Sequence, residues 1–567
     1  MSAITSDQSK IMDENLLNTQ IDTSSFTALD LIRPEYNNPN RKLDIGVVYT
    51  QDDCFSKDKP LETSLDIPFG ISIISSILKK QGHHVRFFVL TNDTYEEHLS
   101  DYINKEKPEL FCLTSVSSQY WLVHKIAKEI KNLDPSIFTI LGGHHASLAP
   151  DNAISSPYLD AICMGEGDHA IKMLSYLISE GEEVKGIPNL WIKRKDGSVE
   201  KNLRLPFEED LDKLPFVDHE LWADWVAYPD QYVSVLVGRG CPFRCTYCSN
   251  HAMAKLSTGK YVRYRSPQNM IAEIQSVCDR FPNLRNIYLE VETIGANIYI
   301  ANDLFEQLAE WNDKRTEPIK FGMNIAFNKA WLLESKKETL KQFFEYCNKA
   351  NVANLNVGIE SGSEKIRKGM KRPPHSNEEL VQFLEMCKSY NIDINIYLLI
   401  GLPHETPANF KESVEIVRRV NPKSVYLSIF YPYIGTDMYD VANETGTIED
   451  TGKYIYERMT PIYTSPLYPK WKIRRDYVLF WFNAYKGIWP WYRIIAWTIK
   501  SYISAYPWLR KPYKWIISKS IFLNNIKSKM QGFTPIGTPL DTEQHFQNNY
   551  GGGSGEATTG FVAKINN

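Results

Sequence analysis

The stretch RGCPFRCTYCSN, residues 239–250, is the most informative part of this sequence. It places Cys241, Cys245 and Cys248 within eight residues, with the spacing C-x3-C-x2-C. An apolar run, YVSVLV, comes directly before it and is typical of a buried strand, so the cysteines belong to the loop at that strand's carboxyl end. Three thiolates on one short loop can bind three irons of a four-iron cluster and leave the fourth iron open.

A zinc site is the alternative for the same three cysteines. Structural zinc sites use four ligands, usually in two separated pairs. A fourth ligand here has to be His251 or the distant Cys278. The cysteines outside the motif are scattered singly, which is unlike a disulfide framework and indicates small buried hydrophobes. They are Cys54, Cys112, Cys163, Cys278, Cys347 and Cys387.

The region around the motif, from about residue 231 to 440, alternates short apolar runs with amphipathic helical stretches. The pattern predicts about six βα units, fewer than the eight of a full (β/α)8 barrel. The runs are YVSVLVGRG, NIYLEV, FGMNIAF, ANLNVGI, INIYLLIG and KSVYLSIFY.

The cysteine spacing, with the aromatic Tyr247 before the last cysteine, resembles the signature of the radical S-adenosylmethionine (SAM) superfamily. The resemblance implies a partial (β/α)6 barrel, a 4Fe-4S cluster and bound SAM. It further implies that the amino and carboxylate groups of SAM chelate the open iron. An electron from the cluster then cleaves SAM to a 5′-deoxyadenosyl radical.

The resemblance also implies SAM contacts beyond the cysteine loop and Tyr247. The segment LEVET holds the place of the amino-group contact, although it departs from the family's usual acidic or glycine-rich forms. GIESGSEK resembles the carboxylate and ribose site, and LIGLPHET the strand end beside the adenine. Taken alone, each segment is a strand-end turn or a helix cap. Their register with the cysteine motif favours the interpretation that they bind SAM. The implied residues are Glu290, Glu292, Glu360, Ser361 and Gly401, with Gly362 allowing close backbone approach to the ligand.

The N-terminal region, from Leu43 to about Gly181, is a second alternation of strands and helices. It predicts a doubly wound parallel sheet, which binds ligands at the carboxyl ends of its strands. A hairpin with Asp196-Gly197 at its turn follows.

This N-terminal region resembles the cobalamin-binding domain that precedes the barrel in many radical SAM proteins. The resemblance rests on PFGISIISSILKKQGHHV, LTSVSS, LGGHHASLAP and ICMGEGD. It implies that Ser115, Ser117, Gly142 and Gly143 line the pocket for the cobalamin nucleotide tail. The segment TQDDCF stands where other cobalamin domains carry D-x-H-x-x-G, which argues against histidine ligation more than against binding.

The C-terminal region concentrates the aromatic residues, which make up 12% of the chain. Seven of the 13 tryptophans lie between Trp471 and Trp515, among basic residues with Asp476 as the sole acid. Two interpretations remain open: a helical cap packed on the barrel mouth, or a surface that contacts a membrane or a lipid-like substrate. Pro490 between two tryptophans predicts separate helices here.

Composition and domain order complete the expectations. With 64 basic against 68 acidic residues, nothing points to nucleic acid as a partner. A polar N-terminus and the absence of a long apolar stretch predict a cytoplasmic protein. We expect a disordered arm at 1–40, a cobalamin-binding-like domain at 41–200, a linker at 201–230, a radical SAM partial barrel at 231–445, a helical region at 446–531 and a flexible tail at 532–567.

The combined resemblance implies a cobalamin-dependent methyltransferase that acts on an unactivated carbon of a natural-product, peptide or lipid-like substrate. One SAM yields the radical that removes hydrogen from the substrate, and another methylates cobalamin, which passes the methyl group on. A reductant such as flavodoxin or ferredoxin is implied. The alternatives are cyclisation, epimerisation or rearrangement without methyl transfer, for which Cys347 or Cys387 facing the barrel interior could donate hydrogen, and a non-catalytic zinc-binding or membrane-associated adaptor. The sequence assigns no catalytic residue.

Overall fold

A computed structural model describes residues 34–51, 58–65, 67–449 and 458–506, together with 508, 509 and 512. Residues 1–33 of the expected arm, Cys54, most of 507–531 and the whole 532–567 tail lie outside the described residues. Within the expected arm, Pro34–Asn37 form a 3-10 turn. Asn40 hydrogen-bonds Glu180, so this end of the expected arm is attached to the N-terminal domain.

The strands are β1 (Asp44–Thr50), β2 (Leu61–Ser64), β3 (His84–Leu90), β4 (Leu110–Thr114), β5 (Phe138–Gly142), β6 (Ala161–Cys163), β7 (Leu190–Lys193), β8 (Val199–Lys201), β9 (Val226–Leu236), β10 (Gly238–Arg239), β11 (Arg263–Tyr264), β12 (Asn286–Glu290), β13 (Lys320–Ile325), β14 (Val352–Glu360), β15 (Asp393–Ile400), β16 (Ser424–Ile429), β17 (Thr447–Ile448) and β18 (Tyr463–Thr464).

The α-helices are α1 (Phe69–Lys80), α2 (Tyr95–Glu106), α3 (Tyr120–Leu133), α4 (Gly143–Leu148), α5 (Pro150–Ile154), α6 (Asp168–Glu180), α7 (Ser249–Met253), α8 (Pro267–Arg280), α9 (Ile298–Asp313), α10 (Lys337–Lys349), α11 (Glu364–Gly369), α12 (Asn377–Ser389), α13 (Pro407–Val420), α14 (Asp437–Thr445), α15 (Lys470–Tyr485) and α16 (Trp491–Ala505).

The N-terminal sheet has the order β3-β1-β4-β5-β6-β7-β8. Its first five strands are parallel, as the strand and helix alternation predicts. The hairpin β7–β8 extends the sheet through an antiparallel pairing with β6. The predicted doubly wound sheet is confirmed, and the strand order reverses between β1 and β4, where ligands of such sheets bind.

The second sheet has the order β2-β9-β12-β13-β14-β15-β16, with every pairing parallel. Six of its strands are the predicted ones, so the partial barrel is confirmed. The seventh, β2, was not predicted, because LETS is short and has no apolar run. It leaves the N-terminal region and pairs with the first half of β9, with Leu61 opposite Val226.

The barrel strands alternate between two environments. Side chains such as Phe321 and Leu355 pack outward against the helices in a large apolar core. Between them, polar side chains of neighbouring strands join across the inner face. Asn356 Nδ2 donates to Tyr288 Oη at 2.7 Å, and Asn395 Nδ2 donates to Asn356 Oδ1 at 2.9 Å. A connected network of amide and phenol groups therefore lines the floor of the barrel interior and makes the barrel more rigid.

The expected linker and the C-terminal helices both pack on the two sheets. In the linker, Trp222 and Trp225 are buried in the N-terminal core. Helix α15 packs on α13 and contributes Ile473 and Phe480 to the barrel core, as the cap interpretation expects. The helix ends at Tyr485 and a new helix begins at Trp491, as Pro490 predicts. This second helix, α16, packs mainly against α15.

Candidate active site

The three cysteines of the motif lie on the turn between β9 and α7. Gly240 sets the path of this turn, since its φ is +89° and a Cβ there would lie 2.3 Å from the carbonyl oxygen of Tyr261. Cys248 is the N-cap of α7, and its amide donates to the carbonyl oxygen of Cys245 at 3.2 Å. The loop therefore presents Cys241, Cys245 and Cys248 from one tight turn, at the strand end where the spacing predicts them.

The thiols of this loop are largely enclosed by protein. Cys245 is buried and the other two are partly exposed. Burial raises the pKa of Cys241 to about 12 and also raises the pKa of Cys248. Iron binds the thiolate form of cysteine. A bound cation would therefore favour the charged thiolates over the neutral thiols at this site.

The two residues that a zinc site needed as a fourth ligand point elsewhere. His251 lies 3.7 Å from a carboxylate oxygen of Asp437, and Cys278 is buried in the apolar face of α8. Among the described residues, no group of three or more His, Cys, Asp or Glu side chains is arranged to hold a metal ion.

An arginine that the sequence did not single out links the cysteine loop to the end of β14. Arg372 Nη1 lies 3.5 Å from Cys245 Sγ and 3.4 Å from Tyr247 Oη. Its Nη2 donates to the carbonyl oxygen of Gly358. Glu360 ends β14 with a φ of 67°, and burial raises its pKa although Arg372 acts in the opposite direction. The structure thus brings Tyr247 and Glu360 together around one guanidinium group.

Two carboxylates lie at the end of β12, beside the cysteine loop. Burial, with a contribution from the charge of Glu292, raises the pKa of Glu290 to about 8. Burial raises the pKa of Glu292 as well, against hydrogen bonds from the Gly240 backbone and from Asn250. Enclosed carboxylates with raised pKa values lack sufficient positive charge around them. A ligand group that donates hydrogen bonds suits this position.

The remaining residues predicted to contact SAM make most of their hydrogen bonds and close contacts within the protein. Ser361 is fully buried, and its Oγ accepts from the Ser363 amide at 3.2 Å. A Cβ on Gly362 would lie 2.4 Å from the backbone nitrogen of Ser413, so the close approach at this glycine is made by α13 and not by a ligand. Gly401 has a φ of +84°, and its amide donates to Glu405 at 2.7 Å, which fixes the turn after β15.

The four residues predicted around a cobalamin tail meet at the carboxyl ends of β4 and β5. The Ser115 amide donates to the carbonyl oxygen of Gly142 at 3.3 Å. Both serine hydroxyls are already bonded within the domain, Ser115 to the Val116 carbonyl at 2.7 Å and Ser117 to His145 Nδ1 at 3.1 Å.

The paired glycines at this edge differ from one another. Gly143 has a φ of +88°, and a Cβ there would lie 2.7 Å from Thr114 Oγ1, so packing alone requires a glycine. At Gly142, a Cβ would meet only a backbone oxygen of Leu113, at 4.0 Å. Gly142 is thus the one of the two that leaves open space at the strand end.

Helix α4 begins at these glycines and carries His144, whose side chain is exposed. It contacts α7, which directly follows Cys248. The carboxyl end of β5 therefore lies close to the cysteine loop.

Buried ion pairs hold this junction. Glu166 and Asp168 come from the turn after β6, and they bind Arg263 and Arg239 of the two short strands beside the cysteine loop. Arg263 is 2% exposed at its side chain. The sequence contains both acids in GEGD and contains Arg239 just before the cysteines, but nothing local indicates that they pair.

Comparisons with known families agree with this geometry. Residues 235–417 match the model of the radical SAM superfamily, and residues 66–175 match that of the B12 binding domain. The chain is a radical SAM enzyme with a B12-binding domain. The radical SAM domain implies a 4Fe-4S cluster, SAM and an external reductant for this enzyme, and the B12-binding domain implies cobalamin.

Known proteins resemble the enzyme over most of its length. It is 24% identical to an uncharacterized methyltransferase of Pyrococcus horikoshii, over 66% of the enzyme and 78% of the relative. It is 23% identical to the anaerobic magnesium-protoporphyrin IX monomethyl ester cyclase of Rubrivivax gelatinosus, over 70% and 69%. Its fold matches the radical SAM methyltransferase TsrM of Kitasatospora setae, solved with cobalamin and a 4Fe-4S cluster, with a TM-score of 0.57, 17% identity, and coverage of 72% and 80%.

Proposed function

We propose that the enzyme is a cobalamin-dependent methyltransferase that acts on an unactivated carbon. The observation that supports this most is the contact between α4 and α7, because it sets a strand end of the B12-binding domain close to the cysteine loop. Methyl transfer to a carbon radical needs the radical source and the methyl donor within reach of the same substrate carbon. The relatives named as methyltransferases support the same activity.

Within this proposal, Cys241, Cys245 and Cys248 hold the cluster, and Arg372 lies against one of their sulfurs. Glu290 and Glu292 receive the amino group of SAM, and Gly142 gives the cobalamin tail access to the strand end. When bound, the cluster with SAM supplies radical chemistry, and cobalamin supplies a transferable methyl group.

The chain's own contribution is to enclose and orient the substrate. The network of Tyr288, Asn356 and Asn395 closes the floor of the barrel. Above it, the rings of Tyr397 and Tyr426 stack at 4.9 Å. Packed phenol rings over a satisfied amide floor limit the water that could quench a radical. We propose the space between these rings and the cysteine loop as the substrate chamber.

In the proposed reaction, one substrate C–H bond breaks and one C–CH3 bond forms. Two SAM and two electrons from the reductant, proposed to be a flavodoxin or a ferredoxin, yield 5′-deoxyadenosine, methionine and S-adenosylhomocysteine besides the methylated product. The hydrogen from the substrate ends on deoxyadenosine.

Cyclisation or another rearrangement without methyl transfer is the second candidate, favoured by the relative that is named a cyclase. The version in which a cysteine donates hydrogen has no support here. Cys347 and Cys387 are on the outer helices α10 and α12, fully buried in the apolar core. They do not face the barrel interior.

The test is anaerobic purification with iron, sulfide and corrinoid analysis, followed by incubation with a reductant and SAM that carries a deuterated methyl group. An extract of the organism that naturally contains the enzyme supplies the substrate. We expect about one cobalt per chain and a product whose mass has increased by one labelled methyl group. Deoxyadenosine without S-adenosylhomocysteine or labelled product would reject methyl transfer and favour the rearrangement.

A further inference from the structure

Helix α16 is apolar on the side that faces away from the protein. Its inward residues Ile494 and Ala505 are buried against α15. On the outward side, Trp491 is 73% exposed, Ile495 48%, Ile499 53% and Tyr502 46%. These four residues, which we call the outer stripe, recur at helical spacing along one face. A surface helix normally turns polar residues outward, and a helix that is apolar on both sides is normally covered.

The exposure is concentrated in this part of the molecule. Of the fifteen exposed large hydrophobic side chains among the described residues, ten lie between Trp471 and Trp508. Others sit at the turn between α15 and α16, where Phe482 and Ile488 are exposed beside Lys486. The patch therefore runs from the helix turn along the outer stripe.

The charged side chains of α15 and α16 are basic, with one exception. Exposed basic side chains flank the patch, including Arg475, Lys486 and Lys500. Asp476 is the single acid of α15 and α16, and it is engaged by Tyr468 and Arg475. The enzyme as a whole has a net charge of −4, so this basic charge is local.

From these observations we propose that α16 and the α15–α16 turn bind the surface of an anionic lipid bilayer. The apolar side chains would enter the headgroup region, where tryptophan and tyrosine are favoured, and the basic side chains would meet lipid phosphates. A helix of 15 residues is shorter than the roughly 20 that a crossing needs, so the helix lies on the membrane. In the part of the chain that the structure describes, no helix is long and apolar enough to cross a membrane.

This surface is separate from the cysteine loop, so its test does not require catalysis. The full-length holoenzyme is floated with vesicles of phosphatidylcholine alone or of phosphatidylcholine with an equal amount of phosphatidylglycerol. We expect flotation with the mixed vesicles, at least about tenfold weaker binding to phosphatidylcholine alone, and loss of binding as salt rises.

Matched variants locate the surface. The triple variant W491S, I495S and I499S should bind the mixed vesicles at least about tenfold more weakly. The control L203S, Y299S and L333S removes three exposed hydrophobics elsewhere and should bind like the parent. The pair K486E and K500E should lose the preference for phosphatidylglycerol. Circular dichroism checks that each variant keeps its helices.

Three results would overturn the proposal. The first is a parent enzyme that does not float, and the second is a triple variant that floats equally well. The third is self-association by light scattering that the triple variant abolishes, without flotation of the parent, which would assign the stripe to a second copy of the chain.

Discussion

Asp168 of the B12-binding domain makes a bidentate ion pair with Arg239 of the radical SAM domain, with nitrogen–oxygen distances of 2.7 and 3.2 Å. Arg239 lies two residues before Cys241. The pair therefore joins the turn after β6 directly to the strand that leads into the cysteine loop. The contact between the two domains includes an ion pair whose carboxylate side chain is 6% exposed and whose guanidinium side chain is 17% exposed.

Replacing Asp168 with Asn should lower the free energy of unfolding by about 2–3 kcal/mol, because it removes the bidentate partner of Arg239 and leaves that guanidinium group its ion pair with Glu166, at 3.2 Å. Thermal or urea unfolding measures this change. The control is Asp101→Asn, which breaks an exposed pair with Lys105 and should cost less than about 0.5 kcal/mol. An equal effect of both substitutions would contradict a special role for the buried pair.

The same pair predicts how stability depends on pH. Burial raises the pKa of Asp168, but the charge and hydrogen bonds of Arg239 outweigh burial and hold that pKa below its usual value. A carboxylate with a lowered pKa stabilises the fold fully above its unfolded pKa, about 3.9, and this contribution is lost as the pH falls through the folded value. Unfolding curves at neutral and acidic pH should converge for the parent and Asp168→Asn as acidity rises. A constant difference between them would be against this account.

Alanine at Cys241, Cys245 or Cys248 should remove the iron and sulfide of the reconstituted enzyme and abolish deoxyadenosine formation, because each substitution takes away one proposed iron ligand. Iron and sulfide assays with the visible spectrum measure the loss. Cys278→Ala is the matched control, since this thiol is buried in α8, away from the loop. If Cys278→Ala alone lost the metal, the assignment of the motif would be wrong.

Affinity for SAM should rise with pH through about 8, because Glu290, whose pKa burial raises to about 8, accepts hydrogen bonds from the iron-bound amino group of SAM best when it is ionised. Glu290→Gln should bind SAM about tenfold or more weakly at high pH and should flatten the profile. Equilibrium dialysis across that pH range measures both effects. Glu306→Gln, at an exposed glutamate on α9, should keep the parent's profile.

The two glycines at the end of β5 should respond differently to alanine. At Gly143, the left-handed backbone and the contact with Thr114 predict a loss of about 1–3 kcal/mol in stability. At Gly142, no close contact opposes a Cβ, so Gly142→Ala should fold normally and weaken cobalamin binding. Thermal unfolding and the corrinoid absorbance separate the two effects. A fully stable Gly143→Ala would show that the strand end can relax.

Local patterns made much of this structure predictable. The six apolar runs became six barrel strands, and the cysteine loop was found because its residues adjoin one another in sequence. The direction of side chains was not predictable: Ser117 lies at the predicted strand end, but its hydroxyl bonds His145. Arg372 and the pair Asp168–Arg239 also escaped prediction, because they come from segments far apart in the chain and carry no local signal.

Strand β2 shows that the two domains are not separate consecutive segments of the chain. Its four residues leave the N-terminal region after β1, complete the edge of the barrel beside β9, and return to α1. A cut at residue 201–230, where the sequence suggests a boundary, would separate β9 from its neighbour and expose unpaired backbone along that edge. The two halves are thus interleaved along the chain. We expect the enzyme to unfold as one cooperative unit and its halves, expressed apart, to aggregate.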